Sequence, residues 1–315
     1  MTEADPQPRL VWLVTTHSGD AVARYDSGGR FIDSIVALDS SPLREPRGMA
    51  IGPDGHLYVV SAHASKSEIL QFDGRTGAFI TVFARSNGLK HPYSLAFAPS
   101  DSPAHGSLLV TSQDNSVVSR FDAHTGQAEG ILIERGSGGL AAPRLGAFGP
   151  DHHFYVASRD SHAILRFHGK SGRFIDEFVT RKGGRLSRPI QFAWGPDGHH
   201  YVGSEDNHKV LRHHGRSGRF QDIFVDGAAP AGGGLRNPSG IAFGPLDGNL
   251  YVASRTGGQI LRYDGRTGEY LDVFIDSIPD PATGTPIPLK EPEFILPCFM
   301  TPAGALRAVE PSASQ

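Results

Sequence analysis

The sequence predicts an all-β fold: a six-bladed β-propeller, each blade a four-stranded antiparallel sheet, with a C-terminal strand completing the N-terminal blade. Three observations predict it. The motif Leu-x-x-Pro recurs six times, at Leu43–Pro46, Leu89–Pro92, Leu140–Pro143, Leu186–Pro189, Leu235–Pro238 and Leu289–Pro292. Its prolines lie 46, 51, 46, 49 and 54 residues apart, close to the roughly 40–50 residues that a four-stranded blade occupies. Short apolar segments separated by Gly-rich turns follow each of the first five prolines, and no stretch of about ten residues carries a helical period.

Each unit reads in the same order. An innermost strand follows the proline, as in Gly48–Ile51, Leu145–Phe148 and Gly240–Phe243. A turn such as Gly52-Pro53-Asp54-Gly55 leads to a second strand, as in Leu57–Val60 or Leu250–Ala253. A third strand (Ile69–Phe72, Ile260–Tyr263) and a turn such as Asp264-Gly265-Arg266-Thr267-Gly268 lead to a fourth (Phe79–Phe83, Tyr270–Phe274). The first unit is incomplete. Residues 11–37 supply three strands, so the missing innermost strand must lie within Glu293–Met300. Ring closure of this kind removes the unpaired strand edges that invite aggregation. One domain over 10–302 follows, with blade 1 from 10–37 plus 293–300. Blades 2–6 fall at about 47–83, 93–134, 144–180, 190–225 and 239–275, and 1–9 and 303–315 are expected as tails.

Bulk properties narrow the function classes. With a net charge of −3 and a pI near 6.6, the 315-residue chain lacks the basic excess of a nucleic-acid binder and offers no polybasic membrane anchor. The single cysteine, Cys298, cannot form an internal disulfide. The start Met-Thr-Glu-Ala-Asp-Pro is acidic, and Leu10–Val14 is too short for a signal core or a span. A cytoplasmic monomer is expected. Gly 39 and Pro 23 exceed their usual combined share of about 12%, and they recur at fixed places, as turns between short strands do.

The stretch Leu235-Arg-Asn-Pro-Ser-Gly-Ile-Ala-Phe-Gly-Pro-Leu-Asp-Gly-Asn-Leu-Tyr-Val-Ala-Ser254, with Ile260-Leu-Arg-Tyr-Asp-Gly-Arg-Thr-Gly268 after it, resembles NHL-type six-bladed propellers. The resemblance runs over about residues 10–300. It groups the chain with a superfamily that includes virginiamycin B lyase, the peptidylglycine amidating lyase, gluconolactonase-like and strictosidine synthase-like proteins, and NHL domains that bind protein or RNA. It specifies a fold and says little of function. In related lyases and lactonases, metal ligands or catalytic residues sit at the position after the proline, which implies a site there.

Propeller geometry brings two rings of side chains to one mouth of the central channel. The residue after each proline gives Arg47, Tyr93, Arg144, Ile190, Ser239 and Glu293; the end of each second strand gives His17, Gln113, Arg159, Glu205, Arg255 and, across a local insertion, His63. Guanidinium groups suit a carboxylate, phosphate or enolate, because arginine donates through a planar fork. Arg47, Arg144, Arg159, Arg255, Gln113, Ser239 and Ile190 are therefore the expected substrate-binding residues. Glu293 and Glu205 could act as bases, His17 or His63 could shuttle a proton, and Tyr93 could be the acid. Charged residues that merely pair with one another across the channel are the plainer reading of the same rings.

The rings depart from the related metal sites. Gluconolactonase-like enzymes place Asn and Asp here and the amidating lyase places His, whereas this chain offers Arg47, Arg144, Ile190 and Ser239. No cofactor is firmly implied; a divalent metal remains open, with only Glu293, His17, His63 and Glu205 able to contribute. Cys298 could take the last ring position in place of Glu293 and act as a nucleophile, although a lone cysteine is more often a small buried apolar residue. Histidines 56, 152, 153, 199, 200, 213 and 214 crowd the opposite face and read as solvated turn residues. Asp114, Asp160 and Asp206 read as loop caps.

The expected function is a lyase- or isomerase-like enzyme for a small anionic, carboxylate-bearing molecule. A non-catalytic NHL-type binding propeller with a protein partner is the alternative, and a metal-dependent lactonase or hydrolase a second.

Overall fold

The computed structural model describes residues 7–38, 41–85, 88–280 and 282–309. Blade 1 takes β1 (Arg9–Thr16), β2 (Ala21–Asp26) and β3 (Phe31–Val36) from the N-terminal end. Blade 2 is β4 (Pro46–Ile51), β5 (Leu57–Ser61), β6 (Glu68–Phe72) and β7 (Phe79–Arg85). Blade 3 is β8 (Pro92–Phe97), β9 (Ser107–Ser112), β10 (Val117–Asp122) and β11 (Ala128–Ile133). Blade 4 is β12 (Pro143–Phe148), β13 (Phe154–Ser158), β14 (Ala163–Phe167) and β15 (Phe174–Val179). Blade 5 is β16 (Pro189–Trp194), β17 (His200–Ser204), β18 (Lys209–His213) and β19 (Phe220–Asp226). Blade 6 is β20 (Pro238–Phe243), β21 (Leu250–Ser254), β22 (Gln259–Tyr263) and β23 (Tyr270–Ile275). A small hairpin, β24 (Ser277–Pro279) with β25 (Pro286–Pro288), leads to β26 (Pro292–Met300).

β26 pairs antiparallel with β1, from Arg9 opposite Met300 to Thr16 opposite Pro292. It is the missing innermost strand of blade 1, and its neighbours on either side of the ring are β4 and β20. Beyond it the chain does not trail off at once. Residues 306–308, expected as tail, form β27 (Leu306–Ala308) on the free edge of β26, with Leu306 buried beside Cys298 and Leu57. The buried leucine, its N–H bond to the Gly74 carbonyl at 3.2 Å and the pairing with β26 together hold the segment to the molecule. The rest of the expected tails, 1–6 and 310–315, lies outside the described residues. One four-residue helix, Arg181–Gly184, is present, and no helix among the described residues is long and apolar enough to cross a membrane.

The repeated motif has a clear mechanical role. All six leucines of Leu-x-x-Pro are buried. A serine ending the second strand of each of blades 2–6 (Ser61, Ser112, Ser158, Ser204, Ser254) accepts from the first x residue and donates back to its carbonyl. The second x residue takes a positive φ in every repeat: Glu45, His91, Ala142, Arg188, Asn237 and Glu291, between 47° and 54°. Few non-glycine residues adopt this conformation, and a residue before proline is ordinarily extended. In five repeats its N–H is held by a side chain of the preceding blade: Asp20, Ser67, Ser116, His162 or His208. In those five repeats the bonds lock the turn before the proline to the preceding blade.

The opposite face corrects one expectation. His200 is not a solvated turn residue. It is fully buried, stacked among Phe178, Phe192 and Trp194, and neither ring nitrogen has a partner. His213 is also buried and contacts the Gly184 carbonyl at 3.0 Å. His200 opens β17 and His213 closes β18, where the two stand opposite each other in the pairing of the strands. His199 and His214, by contrast, pack on each other nearer the surface.

Candidate functional site

Five of the six post-proline residues carry a charge or a hydroxyl, and all six are buried: Arg47 (5% exposed), Tyr93 (0%), Arg144 (7%), Ile190 (3%), Ser239 (3%) and Glu293 (2%). Burial at this depth demands compensation for each charge. Most of it comes from an ion-pair belt. Arg47 donates to Glu293 at 2.8 Å. The other carboxylate oxygen of Glu293 lies 3.4 Å from Nε of Arg255. Arg255 reaches Glu205 at 3.4 Å and Glu291 at 3.3 Å. Glu205 in turn takes two contacts from Arg159, at 3.1 and 3.0 Å. The belt thus joins blades 1, 2, 4, 5 and 6 through side chains that are far apart in sequence.

The belt leaves atoms over. Among the described residues Arg144 has no carboxylate partner, and its Nε is buried with no acceptor. The Tyr93 hydroxyl is likewise buried with no partner among the described residues, as are Nδ1 of His17, Nε of Arg47 and Oε1 of Gln113. The Tyr93 ring lies between two guanidiniums, with Cζ of Arg144 at 4.7 Å and Cζ of Arg47 at 5.2 Å from its centroid. Buried polar groups are nearly always satisfied, so such a concentration marks a place where water or a ligand belongs.

Burial governs the titration here. It pushes the Tyr93 hydroxyl up, Glu293 adding to the effect against Arg144 and Arg47, so the phenol stays protonated and able to donate. Burial, then the neighbouring Arg47, lowers His17 and leaves its imidazole neutral near pH 7. Burial also lowers Arg144, Arg47 and Arg159 adding to the effect against Tyr93 and Glu293.

Not every expected residue joins. His63 is exposed and bonds only Ser65 within its own loop, because the insertion after β5 carries it outward. The Ser239 hydroxyl donates to the Pro292 carbonyl at 2.7 Å and ties blade 6 to β26. Ile190 contributes apolar surface, and Gln113 donates to Asp114 at 3.2 Å. Cys298 is buried in the core between blades 1 and 2, and burial pushes its thiol up to about 12, which removes it as a nucleophile. Glu293 holds the last ring position.

Other residues of the site come from the pre-proline positions that sequence reasoning passed over. His91 Nε2 lies 3.0 Å from Arg47, its Nδ1 3.4 Å from Asp114 and its Nε2 3.8 Å from Glu45; Glu291 pairs with Arg255 and bonds Ser18. The signal was in the repeat: five of the six residues there are polar. Nor do the recurring aspartates cap their loops as expected. Asp160 meets Arg159 and Arg188, Asp206 meets Arg188 and Ser187, and Asp114 meets His91.

A divalent metal does not fit this donor set. Glu205 and Glu293 are already paired with arginines, and among the described residues no three His, Cys, Asp or Glu side chains gather to hold an ion.

Comparison with solved structures follows the same geometry. The nidogen of a nidogen/laminin complex superposes with a TM-score of 0.67 at 16% identity, over 91% of this chain and 98% of that one. Virginiamycin B lyase from Staphylococcus aureus superposes with a TM-score of 0.62 at 17% identity, over 97% of this chain and 95% of that one. In its fold the chain resembles virginiamycin B lyase and nidogen. A protein of unknown function from Bacteroides caccae gives 0.66 at 14%, over 92% of this chain and 98% of that one. At such identities the likeness concerns the fold alone. No family model matches the sequence, and no curated protein does.

Proposed function

We propose that the protein is a small-molecule enzyme, lyase- or isomerase-like, acting on a carboxylate-bearing substrate at this mouth. The observation that carries the reading is Arg144, a buried guanidinium with no carboxylate counter-charge in direct contact among the described residues. An anionic group supplies that charge, and Tyr93 is placed to donate to the same group or to a developing enolate. His17 is the neutral base of the site, and Glu293, fixed by Arg47 and Arg255, is a carboxylate that acts on it electrostatically. Abstraction of a proton beside the substrate carboxylate would leave negative charge where the arginines converge, which suits elimination or isomerisation. A propeller fold that includes a lyase among its structural neighbours supports the reading without naming a substrate.

The test is a screen of carboxylated metabolites, by thermal shift and by turnover, on the wild-type protein and the Arg144→Ala variant. Anions should raise the melting temperature of the wild type and not of the variant. If none does, or if both respond alike, the reading fails.

A further inference from the structure

The rim above Arg144 has the opposite sign from the seat below it. Glu45 and Asp114 stand there, their side chains 37% and 53% exposed, and among the described residues neither is paired with a lysine or arginine. Their shared neighbour is His91, 3.8 Å from Glu45 and 3.4 Å from Asp114. Burial, then Arg47, keeps that imidazole from charging, so it does not neutralise them. Contacts link the two: Arg144 and Arg47 both pack on the Tyr93 ring, at 4.7 and 5.2 Å from its centroid, and Arg47 lies 3.0 Å from His91, which puts the buried cation and the two rim carboxylates in one sector of the mouth, at blades 2–4. The remaining rim carboxylates are already answered: Glu291 by Arg255, Asp160 and Asp206 by Arg188.

An unpaired cation inside and unpaired carboxylates outside are the complement of a molecule that carries an acid at one end and an ammonium at the other. We propose that the site takes an amino carboxylate, its carboxylate seated on Arg144 and the Tyr93 hydroxyl, its ammonium directed outward to Asp114 and Glu45. This rests on the reading of the mouth as an anion site and adds the substrate class. A dicarboxylate would set its second charge against Glu45 and Asp114, and a diamine would set one of its charges against Arg144; like charges at close range disfavour both. A simple monocarboxylate would fill the seat and leave the rim unanswered.

The test is calorimetric titration of the wild-type protein with ω-amino carboxylates of increasing length, each beside the monocarboxylate and the dicarboxylate of matching length. One matched set is 4-aminobutanoate, butanoate and butanedioate. At the best length the amino carboxylate should bind roughly three- to tenfold tighter than the monocarboxylate, the range expected of two partly exposed ion pairs. The dicarboxylate should bind more weakly than either. The double variant Glu45→Gln/Asp114→Asn should erase that advantage, by weakening the amino carboxylate while the monocarboxylate binds no more weakly than to wild type. The inference is overturned if no amino carboxylate outbinds its matched monocarboxylate, if the dicarboxylate equals it, or if the advantage survives the double variant. Monocarboxylate binding that depends on Arg144 but gains nothing from the ammonium sinks this inference alone. Silence from every compound sinks the anion site with it.

Discussion

Arg47 and Glu293, separated by 246 positions in the chain, meet at 2.8 Å in the buried mouth of the channel. The contact ties the first residue of blade 2 to the strand that closes blade 1, so ring closure and site assembly share one ion pair. Glu293 also faces Arg255, so removing its carboxylate strands two guanidiniums at once. Glu293→Ala should therefore cost about 3–5 kcal/mol of stability, the usual result of breaking a buried pair on one side. Glu293→Gln keeps an acceptor for Arg47 and should cost clearly less. Urea denaturation of the three proteins measures this; an alanine variant within about 1 kcal/mol of wild type would show that closure does not depend on the pair.

Arg144 should behave in the opposite way. It is nearly as buried as Arg47 but has no carboxylate in contact among the described residues, so its charge is a net burden on the folded state. Arg144→Met keeps the apolar stem and removes the burden, and the variant should be at least as stable as wild type, by up to about 1 kcal/mol. Arg47→Met should be destabilised, because it leaves Glu293 short of a partner. The prediction concerns the sign of two melting-temperature shifts. Two shifts of the same sign would mean that Arg144 is compensated in solution.

The fold was legible because its signal is periodic. Six copies of one motif place blades, turns and the closing strand without any knowledge of contacts, and β26 lies where the incomplete first unit required it. The rings were legible for the same reason, since a fixed offset from each proline names Arg47, Tyr93, Arg144 and Glu293. What the period does not carry is partner choice. That Arg47 finds Glu293 while Arg144 finds nothing depends on which side chains face each other across the axis, and no offset states that. His91 and Glu291 were passed over because a residue before proline is expected to be extended, whereas every repeat turns it to positive φ. His200 was misplaced because it stands next to a turn, and a shift of one position in a strand exchanges solvent for core.

Gly77 and Gly198 separate backbone strain from close packing. Both have positive φ, 71° and 75°. A Cβ on Gly198 would meet nothing within 4 Å, whereas one on Gly77 would lie 1.6 Å from the carbonyl oxygen of Ile35 in the neighbouring blade. The matching turn glycines Gly126, Gly172, Gly218 and Gly268 press on the preceding blade in the same way. Gly198→Ala should cost roughly 1 kcal/mol, from strain alone. Gly77→Ala cannot be accommodated unless two blades move apart, and its loss should be several-fold larger. Equal losses in chemical denaturation would show that the blades are not in the contact described.

His200 sets the acid limit of the fold. Burial holds its imidazole well below the ordinary value, with His213 adding repulsion, and neither nitrogen has a partner that would welcome a proton. In the unfolded chain the same group titrates at about 6.5. The unfolded state therefore binds the proton more readily. The stability tied to the neutral ring is complete above about pH 6.5 and falls as pH drops below it, by up to about 1.4 kcal/mol per unit. Burial lowers His213 as well, so it adds a second contribution of the same sign. His200→Phe places an aromatic ring of similar size among Phe178, Phe192 and Trp194 and removes the first contribution. The urea midpoint of the variant, followed from pH 8 to pH 5, should fall less steeply than that of wild type, with the two curves diverging below about pH 6.5. Parallel curves would mean that His200 is already solvated in the native protein, and the blade 4–5 interface would then be looser than its packing implies.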